Sequence, residues 1–158
     1  MAANPLKIGI VMDPIGSIVP KKDSSFAMLL EAERRGAQIH YFEQHDLRML
    51  SGDALGRSRL LHVEDNHDAW YRLGDPRDVK LAELDVILMR KDPPFDMEYV
   101  YTTYMLDRAK ADGVLIVNDP QALRDMNEKA YTAWFPECTP LTLITRSMDD
   151  MKGFLADH

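Results

Sequence analysis

A chain of 158 residues with 46% apolar and 28% charged residues suits one folded domain with a sizeable core. Its formal net charge of −7 argues against a broad nucleic-acid or anionic-membrane surface, although the local cation pairs Lys21-Lys22 and Arg90-Lys91 still suit a small anion. The single cysteine, Cys138, forbids an intramolecular disulfide, and no signal-like or membrane-length apolar run occurs, so a soluble, cytoplasmic protein is expected.

Leu6 to Met12 is apolar and rich in β-branched residues, which predicts a buried strand ending at Asp13-Pro14. The following loop to Lys22 is long for a strand-to-helix link, and such loops often carry function. Asp23 or Ser24 is expected to cap a helix with Phe26, Leu29, Leu30 and Glu33 marking its turns and Gly36 stopping it. Ala37 to Phe42 completes a βαβ unit, so its two strands should be parallel neighbours. Residues 44–80 are less regular and suggest a hairpin-like excursion, with Ser58–Val63 as the best strand and Trp70-Tyr71 as its anchor.

The stretch from Asp85 to Asp96 organises the rest. Val86 to Met89 predicts a third parallel strand, which turns into Arg90-Lys91-Asp92-Pro93-Pro94. Both prolines fix φ and lack an N–H, and Pro93 keeps residue 92 out of the helical region. Asp96 caps a helix that stops at Gly113, and Val114–Val117 is a fourth strand. Asp119-Pro120 then opens two short helical pieces, Gln121–Met126 and Asn127–Phe135. Leu141–Thr145 predicts a fifth strand, and Ser147 caps a last amphipathic piece. The alternation implies an α/β fold: an open, mostly parallel Rossmann-like sheet with helices on both faces. Ligands of such sheets lie beyond the carboxyl ends of the strands. That rim holds Asp13, Glu43, Arg90-Lys91-Asp92 and Asn118-Asp119.

The loop after the first strand carries neither a dinucleotide fingerprint nor a glycine-rich phosphate loop. The five histidines and Cys138 show no metal-ligand spacing. Cys138 reads as a small packed residue and the methionines as core filler. Asp13 either anchors a ligand ammonium or turns its own loop. Arg90 offers a planar fork for a carboxylate, the alternative being an ion pair with Asp92 or Asp96. Lys21-Lys22 suits a solvated helix entry, Ser24-Ser25 suits helix initiation, and Lys129 is an ordinary exposed lysine by physics alone.

Four blocks together resemble bacterial glutathione synthetase: Gly9-Ile10-Val11-Met12-Asp13-Pro14-Ile15, the run from Lys21 to Leu30, Leu88-Met89-Arg90-Lys91-Asp92-Pro93-Pro94-Phe95-Asp96, and Leu123-Arg124-Asp125-Met126-Asn127-Glu128-Lys129. The Met-Arg-Lys-Asp-Pro-Pro-Phe-Asp block is the most specific. The resemblance covers residues 6 to about 150. It implies a ligase of glutathione biosynthesis that joins γ-glutamylcysteine to glycine through an acyl phosphate, with ATP and magnesium. It further implies an α/β domain over 1–126 and the start of an ATP-grasp region over 127–158. Asp13, Arg90 and Lys91 are expected to face the peptide substrate and Lys129 the ATP phosphates. The magnesium ligands and catalytic residues are expected beyond His158, so the chain alone should be an inactive fragment of a homo-oligomeric enzyme, without nucleic-acid or membrane partners. An exposed surface near Trp134-Phe135 would favour self-association. The competing reading is a stand-alone α/β module that binds a small anion without chemistry; a flavodoxin-like carrier finds no support in the loops.

Overall fold

The computed structural model describes residues 4–66, 68–91 and 93–158; His67 and Asp92, both weighed above, lie outside the described residues. The chain forms two compact units, Met1–Gln121 and Ala122–His158.

The first unit is built on an eight-stranded sheet in the order β3-β4-β2-β1-β7-β8, with β5 and β6 also paired to β4. Strand β1 (Lys7–Val11) lies between β2 (Gln38–Phe42) and β7 (Val86–Met89), parallel to both, with Val11 opposite Phe42 on one side and Met89 on the other. Strand β8 (Leu115–Val117) continues parallel to β7. This parallel centre follows from the βα alternation of the sequence. The excursion is larger than a hairpin. Strand β4 (Asp53–Val63) runs antiparallel to β2 and collects β3 (Leu47–Leu50), β5 (Tyr71–Leu73) and β6 (Arg77–Lys80), all antiparallel.

Helix α1 (Ser24–Arg34) packs Phe26, Leu29 and Ala32 with Ile10, Ile39, Tyr41 and Trp70 in one core. Trp70 meets Phe26 edge-on at 5.2 Å, which makes it the expected anchor of the excursion. Strand alternation sends Val11 and Phe42 to the opposite face. There Phe42 fills the space over Gly56, where a Cβ would lie 2.5 Å from its ring. Helix α2 (Met97–Ala111) contacts β3, β4 and β8 and buries Leu106 and Ala109. The caps are as expected: Asp23 Oδ1 accepts from Phe26 N–H and Asp96 Oδ1 from Tyr99 N–H, each at 2.9 Å. Gly36 and Gly113 end the helices with φ of +72° and +102°, where a side chain would be strained.

Helix α3 (Pro120–Asp125) starts in the first unit and ends in the second, which also holds α4 (Met148–Asp157), capped by Ser147 Oγ. Several expectations for this region fail. Leu141–Thr145 forms no strand; no neighbouring strand offers its ladder, and Leu141 and Ile144 stay exposed. Residues 127–130 are not helical, because Asn127 Oδ1 takes the N–H groups of Lys129 and Ala130 at 3.1 and 3.2 Å, leaving only a 3-10 turn at Tyr131–Trp134. Cys138 is exposed on a 3-10 turn rather than packed. Trp134 and Phe135 are exposed, as expected. Methionine is not mainly core filler: Met12 and Met89 are buried, whereas Met49, Met97, Met126 and Met148 are exposed, on outward helix faces, an edge strand or a loop. Among the described residues no helix is long and apolar enough to cross a membrane.

Candidate functional site

The chain leaves β1 to one side, through α1 to β2, and returns on the other side as β7. Such a reversal opens a crevice at the carboxyl ends of the two central strands. Arg90 follows β7 directly, its N–H bonded to Val11 O at 2.7 Å. Its side chain is half-buried and is held by two hydroxyls: Nε donates to Ser25 Oγ at 2.9 Å and Nη2 to Ser24 Oγ at 2.8 Å. Both serines belong to the first turn of α1, so strand end and helix start are tied together across sixty-odd residues of sequence. Among the described residues these hydroxyls, not carboxylates, are the partners of the guanidinium. The alternative pairing with Asp96 is absent, since Asp96 caps α2; Asp92 lies outside the described residues.

Beside Arg90, Lys91 Nζ lies 2.8 Å from Asp13 Oδ1 at the end of β1, with both side chains largely sheltered. A cleft of about 510 Å³ opens here, lined by Asp13, Ser17, Val19, Lys22, Ser24 and Arg90 among others. Three of the four expected site residues, Asp13, Arg90 and Lys91, therefore come together. The fourth, Lys129, belongs to the second unit, where it is exposed and pairs with Glu128 at 2.6 Å.

The cleft suits a zwitterion. Its cations are Arg90, whose remaining guanidinium N–H groups are of the kind that suit a carboxylate, and Lys22. The start of α1 adds a positive dipole end. Asp13, paired with Lys91, adds a carboxylate to the same lining. The hold of the two serines on Arg90 is what sequence reasoning missed; serines next to an Asp cap are explained by helix initiation alone, and only the strand order brings Arg90 to them. Other rim residues serve the fold: Asp119 accepts from Gln121 N–H at 3.0 Å and pairs with Lys110. Glu43 accepts the hydroxyl of Tyr41 at 2.8 Å. Burial, and then that bond, push the Tyr41 phenol well above its usual range, so it stays a donor.

The family described as prokaryotic glutathione synthetase, N-terminal domain, matches residues 6–124. The glutathione synthetase of Salmonella typhimurium is 59% identical over 153 residues, covering 97% of this chain and 49% of that protein. Those of Escherichia coli and Vibrio cholerae are 58% and 55% identical, again over 97% of this chain and 48% of theirs. The chain spans about half the length of the curated relatives it matches. With the matched segment running from β1 through α2 and β8 into α3, and so including the whole cleft, the chain belongs to the prokaryotic glutathione synthetase N-terminal domain family.

Proposed function

We propose that this chain is the amino-terminal part of a glutathione synthetase, and that the cleft between β1 and β7 receives γ-glutamylcysteine. The observation that carries the reading is the Arg90 guanidinium, aimed by Ser24 and Ser25 into a cleft at the sheet's switch point. A peptide with carboxylates and an α-ammonium matches its charges: Arg90 and Lys22 hold a carboxylate, and Asp13, kept in place by Lys91, holds the ammonium. These contacts fix the peptide's direction, which is most of what positioning contributes to an acyl transfer.

ATP supplies the phosphoryl group that activates the peptide carboxylate in such a ligation. Lys129, an exposed cation, is the residue of this chain that would meet the phosphates. Among the described residues no three His, Cys, Asp or Glu side chains converge as a metal site, and no residue of this chain is assigned to magnesium. On this reading the chain forms the substrate side of a cytoplasmic, homo-oligomeric enzyme that also takes glycine. The test uses the full-length enzyme that carries this chain. Phosphate release should require γ-glutamylcysteine, glycine, ATP and magnesium together; release that ignores the peptide would overturn the assignment. A stand-alone anion-binding module would instead bind an unrelated small anion in calorimetry, and no addition of peptide would lead to chemistry.

A further inference from the structure

Tyr41 does not line the cleft, yet its hydroxyl joins the cleft loop to the sheet. The side chain is only 2% exposed. Its oxygen accepts the N–H of Ile15 at 3.0 Å and donates to Glu43 Oε1 at 2.8 Å. Ile15 is itself 2% exposed, so its amide has no ready water to turn to. Glu43 is a firm base for this bond: its N–H donates to Asp46 Oδ2 at 2.8 Å, and its side chain accepts from Asp46 N–H in return. The same loop is approached from the antiparallel extension. A Cβ at Gly16 would lie 3.0 Å from the Tyr71 hydroxyl, and Tyr71 leans on Trp70 with ring centres 4.7 Å apart.

The ion pair with Lys91 holds Asp13, the first residue of the loop, at the end of β7; beyond it the loop turns on local bonds such as Ser17 N–H and Ser17 Oγ to Pro14 O at 2.8 and 2.6 Å. Local turns shape the loop beyond Asp13 but do not fix where it stands relative to the sheet; the phenol ties it to the end of β2.

We propose that Tyr41 is a positioning residue for the cleft, its hydroxyl pegging the loop at Ile15 to the end of β2 so that Ser17 and Val19 keep their places in the cleft wall beside Arg90. The proposal rests on the reading that the cleft takes the peptide substrate. It also gives residues 44–80 a purpose in the site, since Trp70 and Tyr71 brace the same loop from outside.

The test is Tyr41→Phe in the full-length enzyme, which keeps the ring and removes the peg. The KM for γ-glutamylcysteine should rise by roughly tenfold, a loss of about 1.4 kcal/mol of binding. The KM for ATP should stay at the wild-type value. A merely structural role would lower the melting temperature and the yield of active enzyme without separating the two KM values. If Tyr41→Phe does not fold, Glu43→Ala decides, because it removes the acceptor that holds the phenol while leaving the buried ring in place, and it should show the same selective rise. Wild-type peptide KM in the folded variant, or both KM values rising together, overturns the proposal. An Arg90→Ala enzyme with unchanged peptide KM would sink the cleft reading and the positioning role with it. A strong effect at Arg90 with none at Tyr41 would sink the positioning role alone.

Discussion

Ser25→Ala removes one atom from the site, and its consequence can be worked out. Ser25 is 4% exposed, and its oxygen takes the Nε–H of Arg90 at 2.9 Å. Hydrogen bonds to charged groups contribute about 1.5–3 kcal/mol. Arg90 borders an open cleft, so water restores part of that loss and the lower end applies, about 1.5 kcal/mol. For a chain of this size the melting temperature should fall by roughly 3–6 °C. Thermal unfolding followed by circular dichroism measures it. A double-mutant cycle with Arg90→Ala isolates the bond: the two losses should fail to add by more than about 0.5 kcal/mol. Additive losses within that margin would show that the hydroxyl does not hold the guanidinium, and the preorganised fork would be refuted.

His40 is 6% exposed, with Nδ1 2.9 Å from Ser58 Oγ. Burial, then the charges of Lys7 and Arg77, hold its pKa below the ordinary value near 6.5. The folded state thus favours the neutral ring, and this stability is complete above about pH 6.5 and lost as pH falls below it. The melting temperature should drop between pH 7 and pH 5 more steeply for wild type than for His40→Asn; parallel curves would contradict the assignment. Lys129→Ala in the full-length enzyme should raise the KM for ATP and leave that for the peptide unchanged, and an unaltered ATP KM removes Lys129 from the nucleotide site.

The parallel centre of the sheet was legible because β1 and β7 are short apolar runs, each leading to a capped helix and a further strand: Asp23 and Asp96 mark helix starts, Gly36 and Gly113 their ends. The extension was not, because its register depends on partners far apart in the chain, such as Leu55 opposite Lys80. Alternation alone misled at Leu141–Thr145, where β-branched residues find no ladder to join. Asp13 and Arg90 could be picked out from their places at strand ends. The bonds of Ser24 and Ser25 to Arg90 and of Tyr41 to Ile15 could not, because each residue has a sufficient local explanation, as helix starter or core aromatic, and its further partner comes only from the fold.

The most direct measurement is the KM for γ-glutamylcysteine in the full-length enzyme bearing Arg90→Ala. Loss of a charge-assisted bond to a carboxylate should raise it by roughly ten- to a hundredfold, with the KM for ATP held at its wild-type value. Wild-type peptide KM in a folded Arg90→Ala enzyme would contradict the placement of the peptide in this cleft.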